Sequence, residues 1–208
     1  LYHHQASWEG SRKGGVPTSA KTLARAVAAF PQNTRLKRRL AGLTHEMGQH
    51  QAAETQLREA IKIEADMPDT YVQLAQVLFE VQGAPWTESE AMLRKAIDLD
   101  SKNKPAKGRL GALLRRKGMI DEKSREGFWS EAKILLEDAC SKEARDAKAF
   151  IECGLLMLDC AQLGFENDLE RAELLFSRAN KLKNGNSPAA LVGLARVLLR
   201  TERIQEAA

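Results

Sequence analysis

Cysteine and histidine are the residues of this 208-residue chain best equipped for chemistry, and it has three of the first and four of the second. Cys153 and Cys160 stand seven positions apart, which puts both on one face of a helix, and Cys140 falls on the preceding helical segment. A zinc site needs a close Cys or His pair, and no CxxC occurs. Cys153 also takes a position that leucine fills elsewhere in the chain, so it reads as core. His45 and His50 lie five apart across an expected helix end, a poor geometry for shared ligation, and His3-His4 reads as a tag remnant or a loose end. The expected metal and cofactor set is therefore none. There is no GxSxG, P-loop or GxGxxG run. Carboxylates mostly sit four residues before Arg or Lys, as Glu54 does before Arg58 and Glu90 before Arg94. Such surface pairs are worth only a few tenths of a kcal/mol. No catalytic residue and no enzyme activity are expected. An odd number of cysteines makes no disulfide framework, so a reducing, cytoplasmic setting is expected.

Charge offers a different chemistry. The net charge of +4 is mild, but basic residues cluster. Ser11 to Leu40 carries Arg12, Lys13, Lys21, Arg25, Arg35, Lys37, Arg38 and Arg39 with no acid. Ser101 to Gly118 carries Lys102, Lys104, Lys107, Arg109, Arg115, Arg116 and Lys117, again with no acid. Such runs can contact phosphates in a salt-dependent way. Nucleic-acid grooves usually add stacking aromatics, and Trp8, Trp86 and Trp129 are far apart in sequence. An acidic protein segment is the preferred partner, with nucleic acid second.

These residues must be held by helices. Ala, Leu, Glu, Lys and Arg dominate, aromatics make up 5%, and that composition favours helix. No stretch of 18 apolar residues exists, so no membrane-inserted helix is expected, and Leu1 to Gly15 lacks the apolar core of a signal peptide. A large apolar residue followed three positions later by Ala recurs at Leu23/Ala26, Leu57/Ala60, Leu93/Ala96, Leu136/Ala139 and Phe176/Ala179. A second series runs between them: Leu40-Ala41, Leu74-Ala75, Leu110-Gly111, Cys153-Gly154 and Leu194-Ala195. The alanines of the first series advance by 34, 36, 43 and 40 residues. Two series in step define a repeat of two helices, A and B. Small residues let the two approach to about 8–10 Å. Gly48, Gly83, Gly118 and Gly164 are placed to end the A helices in left-handed caps. Pro31, Pro68, Pro105 and Pro188 mark unit boundaries.

This pattern resembles the tetratricopeptide repeat (TPR) superfamily. Asn33 to Ala65 carries Leu40, Ala41, Gly48, Ala53, Leu57 and Ala60 at the signature spacing, and the resemblance runs from about Thr18 to Ala208. It implies an all-α fold, a right-handed α-solenoid of stacked antiparallel helix pairs. Residues 1–17, broken by Gly10, Gly14, Gly15 and Pro17, read as an irregular arm or degenerate helix. Met119 to Gly127 is a charged insertion, and two extra residues fall around Ala84-Pro85. Leu163-Gly164-Phe165 followed by Asp168 is similar to the related Sel1-like repeats. The chain lacks an initiator Met and ends in an incomplete B helix, so 18–208 reads as an array truncated inside its last repeat, with self-association through the open end as one consequence.

In the superfamily the A helices line a concave groove. Helical spacing puts Arg38 and His45 of one A helix on that face, then Gln76 and Phe79, Arg115 and Arg116, Ile151 and Leu155, and lastly Arg196 and Arg200. The face is basic toward both ends and apolar at its centre, and suits a peptide with an acidic flank. Ile151 and Leu155 can equally be packing residues. The superfamily's carboxylate clamp is not expected, because its Asn positions hold Gly42, Gln76 and Ala112. The expected function is a non-catalytic protein–protein interaction scaffold. The alternatives are a nucleic-acid-associated helical-repeat factor, or the regulatory or targeting module of a larger enzyme.

Overall fold

The computed structural model describes residues 15–80, 86–141, 143–164 and 168–201. These residues form helices and connecting turns, with no strand among them. The chain divides into two compact units, Leu1–Asn103 and Lys104–Ala208.

The first unit holds α1 (Gly15–Ala29), α2 (Thr34–Glu46), α3 (His50–Ile63), α4 (Pro68–Glu80) and α5 (Trp86–Leu99). Helices α2 and α4 are A helices, α3 and α5 their B partners, and α1 is the B helix preceding α2. Each packs on the next in the chain, and α2 also touches α4. The second unit holds α6 (Lys104–Ile120), α7 (Arg125–Ala139), α8 (Ala147–Gln162), α9 (Leu169–Leu182) and α10 (Pro188–Arg200). There α6, α8 and α10 are A helices. The A helices α6 and α8 touch, as do α8 and α10.

Both sequence series are core. All ten residues of the Leu/Phe–Ala series are between 0 and 2% exposed. In the second series only Leu194 and Ala195 are half-buried; the rest are buried. The series meet each other. A Cβ on Gly111 would lie 2.5 Å from Leu136 Cγ, and one on Gly154 would lie 2.8 Å from the Phe176 ring. The small residue of the A helix is therefore the seat for the large residue of the B helix, which fixes the approach of the pair.

Local signals set the helix limits. Asn33 accepts from Leu36 N (3.0 Å), Asp146 from Lys148 N (3.0 Å) and Asp168 from Arg171 N (3.1 Å), each an N-terminal cap. Pro68 and Pro188 are the first residues of α4 and α10. Gly48 and Gly164 adopt φ +74° and +75°, the left-handed caps expected after α2 and α8.

Three features go beyond the sequence reading or depart from it. Helix α1 begins at Gly15, so residues 15–17 belong to it. Gly118 does not end α6, which continues to Ile120. Its missing side chain instead admits the Trp129 indole, whose Nε1 would lie 2.3 Å from a Cβ there and which donates to Arg115 O (3.0 Å). The 119–127 insertion is ordered: it lengthens α6, turns through 121–124 and opens α7. In that turn Asp121 Oδ1 accepts from the amides of Lys123 (3.1 Å) and Ser124 (3.3 Å). Gly83, the Ala84-Pro85 insertion, residues 1–14, Phe165 and the incomplete last helix lie outside the described residues.

Candidate functional site

In the first unit, Arg38 and His45 on α2 stand beside Asp69 and Gln76 on α4, respectively. Arg38 is 3.6 Å from Asp69 at the start of α4, and His45 Nε2 is 3.3 Å from Gln76 Nε2. The α2–α4 face is thus stitched by polar contacts. Beside it opens a cavity of about 380 Å³ lined by Arg35, Arg38, Arg39, Gly42, Leu43, Glu46 and Gln73. Three guanidinium groups face one carboxylate there. Gly42 has nothing within 4 Å of a Cβ, which leaves the floor open. Arg38 Nε is buried and has no hydrogen-bond partner among the described residues. A buried cationic donor without an acceptor is costly, and an anionic acceptor in the cavity would satisfy it. Phe79 stacks on Trp86 of α5, ring centroids 5.5 Å apart, so its ring is engaged in A–B packing.

Arg35, three residues before Arg38, shares its face of α2, whereas Arg39 and Gln73 are not expected there. They join because the cavity lies between two A helices, and a residue one step off the central stripe of either can reach it. Lys37, in the same basic run, turns the other way. It is buried and meets Glu59 of α3 at 2.5 Å.

The second unit uses its basic residues internally. Arg115 reaches Glu152 Oε2 (3.1 Å) and Asp159 Oδ2 (2.5 Å) on α8, and Arg116 reaches Glu152 Oε1 (3.4 Å). Lys107 pairs with Asp138, Lys104 donates to Ser141 (2.6 Å), and Lys117 lies 4.9 Å over the Phe128 ring. The run from Lys102 to Lys117 has no acid of its own because its acids come from α7 and α8. Ile151 packs half-buried against Ala144, Ala147, Phe150, Ala179 and Ala190, and Leu155 is half-buried. Arg196 and Arg200 are both exposed on α10.

Cys153 is buried and Cys140 half-buried, as core positions require. Their thiols share a hydrogen bond, which with burial pushes Cys140 well above the usual thiol range. Cys153 and Cys160 border a cavity of about 260 Å³ with Trp129, Lys133, Leu156 and Met157 among its walls. The histidines overturn the expectation of poor geometry. Gly48 reverses the chain so tightly that His45 Nδ1 and His50 Nδ1 lie 3.2 Å apart.

The stacked antiparallel pairs define an all-α protein with the TPR-like fold, the class expected from the two series. No family model and no curated protein matches the chain. Solved structures do. PilW, a type IV pilus biogenesis factor, is similar at 17% identity and TM-score 0.73 over 98% of this chain and 86% of its own. A thermophilic TPR protein of Thermus thermophilus is similar at 20% identity and TM-score 0.66, over 84% and 86%. The human IFIT1 dimer with PPP-AAAA is similar at 18% and TM-score 0.69, over 93% of this chain but 44% of its own. No helix among the described residues is long and apolar enough to cross a membrane.

Proposed function

We propose that the chain is a non-catalytic protein-interaction scaffold whose first unit takes an acidic segment of a partner polypeptide between α2 and α4. One observation carries this reading: the α2–α4 cavity gathers Arg35, Arg38 and Arg39 against the one carboxylate of its lining, Glu46, with Arg38 Nε buried and lacking an acceptor among the described residues. A peptide carboxylate can take two parallel N–H donors from a guanidinium, and an extended strand or a short helix fits a cleft between helices. The fold shared with other TPR proteins supports a scaffold in general.

The nucleic-acid reading rests on the same arginines and on the resemblance to IFIT1 in its complex with PPP-AAAA. It is the weaker of the two, because the second basic run is largely matched by protein acids. Fluorescence polarisation with a labelled peptide rich in Glu and Asp, its Lys-substituted counterpart and a single-stranded oligonucleotide tests both. The proposal requires that the acidic peptide bind and that Arg38→Glu abolish the signal. Binding indifferent to Arg38→Glu, or oligonucleotide binding that outlasts moderate salt while the peptide does not bind, overturns it.

A further inference from the structure

We propose that His45 and His50 form a binding site for a divalent transition-metal ion of the zinc class, with Glu80 as the acid that orients His45. Three residues from separate elements converge here: the last turn of α2, the first residue of α3 and the end of α4. One potential ligand atom from each lies within 4.8 Å of the others. The imidazole geometry is more specific than that. A tetrahedral ion with Zn–N bonds of 2.0–2.1 Å holds its ligand nitrogens roughly 3.3 Å apart, and the two Nδ1 atoms are 3.2 Å apart. The rings meet edge to face at 64°, with centroids 5.2 Å apart, so the two imidazoles approach without stacking.

His45 is also held from behind. Its Nε2 is 3.3 Å from Glu80 Oε2. A ligating histidine commonly donates its second N–H to a carboxylate, which fixes the tautomer and raises the basicity of the ligating nitrogen. Glu80 accepts from Nε2–H, leaving the Nδ1 lone pair of His45 for the ion. His50 supplies the second lone pair, and solvent completes the tetrahedron. Borderline ions such as Zn²⁺ suit imidazole, whereas Mg²⁺ and Ca²⁺ prefer an all-oxygen shell. The ion would clamp the α2–α3 turn to the C-terminal end of α4. The metal-free rival for the same distances is a ring-to-ring hydrogen bond, in which one Nδ1 keeps its proton and Gln76 Nε2, 3.3 Å from His45 Nε2, donates to that nitrogen.

The test is calorimetric titration with ZnCl₂ alone on the full chain carrying His3→Ala and His4→Ala, which removes the terminal imidazole pair. Imidazole ¹H–¹⁵N spectra are recorded at each point. The expected result is one equivalent of zinc, with the Nδ1 signals of His45 and His50 moving together and both Nε2 protons retained. His50→Gln should weaken uptake by at least tenfold, and Glu80→Gln by about 10–100-fold. Circular dichroism checks that each variant keeps its helicity, and the imidazole spectra of the His3→Ala, His4→Ala parent need no further substitution. No zinc uptake, or uptake that leaves the Nδ1 signals of His45 and His50 unmoved because thiols hold the ion, overturns the proposal.

Discussion

Arg115 on α6 is clamped by Asp159 on α8, with its Nη1 2.5 Å from Asp159 Oδ2. The side chains are only 12% and 7% exposed, so both charges have left water; Asp159 is compensated by Arg115, which Glu152 also meets at 3.1 Å. Removing one member of such a pair is strongly destabilising, while replacing both with apolar residues is often neutral. Arg115→Met is expected to lower stability by about 3–5 kcal/mol, and Arg115→Met combined with Asp159→Leu should recover most of that loss. Urea denaturation followed by circular dichroism measures both. Equal losses in the single and double variants would mean the pair contributes packing rather than charge compensation.

Phe176 on α9 is wedged between glycines of two A helices. A Cβ on Gly154 of α8 would approach its ring to 2.8 Å, and one on Gly193 of α10 to 2.4 Å. The ring is fully buried and cannot swing into solvent. Gly193→Ala should therefore cost roughly 1–3 kcal/mol through overpacking. Adding Phe176→Leu to that variant should cost less than the same change does in the parent, since the smaller side chain leaves room for the new methyl. A double-mutant cycle with additive terms would contradict the shared-ring geometry.

The two Ala-containing series made the helix pairing legible in the sequence, because they occupy the A–B contact itself. That contact is periodic and recurs along the chain, so chance could not hide it. The site was only partly legible. Helical spacing put Arg38, His45 and Gln76 on one face; His45 meets Gln76, while Arg38 meets Asp69 at the start of α4. The same spacing treated Arg115 and Arg116 simply as outward residues. It carries no information about which acids an adjacent A helix brings opposite, and Glu152 and Asp159 lie 37 and 44 residues from Arg115. His50 was missed for a related reason. The separation of His45 from His50 says little until Gly48 takes a positive φ and folds the next helix back. Gly118 shows the converse: read as a cap, it is a notch for Trp129, a residue of the helix that follows the inserted segment.

Ala60 and Ala96 test the repeat register directly. They are 1% and 0% exposed, at equivalent points of α3 and α5. Ala60→Trp and Ala96→Trp should each lower stability by roughly 1–3 kcal/mol, and by more if the helix pair must separate to admit the indole. Thermal denaturation would register either. A harmless substitution at both positions would require the B helices to be rotated away from the contacts described.

Asp121 organises the turn between α6 and α7. Its carboxylate is held below the ordinary aspartate range first by the Ser124 hydroxyl, against an opposing desolvation, and further by the amides of Ser124 and Lys123 and the charge of Lys117. A carboxylate whose folded pKa is depressed adds stability above its unfolded pKa, and that contribution is lost as pH falls through the folded value. The turn should therefore stay closed at neutral pH and loosen only in acid below the ordinary range. The amide resonances of Lys123 and Ser124 report it. They should titrate with a midpoint below 3.8, the ordinary aspartate value, and Asp121→Ala should remove the transition. A midpoint at or above that value would count against the turn as the holder of the carboxylate.

The two basic runs should respond differently to salt and to charge reversal. Arg35 and Arg38 border a cavity with one acid in its lining, and Arg38 has only a long 3.6 Å contact to the exposed Asp69, whereas Lys107, Arg115 and Arg116 have carboxylate partners within the second unit. An ion pair formed with a ligand adds attraction only where the cation is not already compensated. Arg35→Glu or Arg38→Glu should therefore weaken an acidic peptide by roughly tenfold, equivalent to about 1.4 kcal/mol. The loss should shrink as ionic strength rises and the Debye length falls toward 3 Å at about 1 M. Arg116→Glu should leave peptide affinity nearly unchanged and instead lower stability, because it sets a second carboxylate beside Glu152. If the reversed sensitivity were found, with Arg116→Glu releasing the peptide and Arg38→Glu neutral, the binding face would belong to the second unit and the Glu152 network would have to open to admit its ligand.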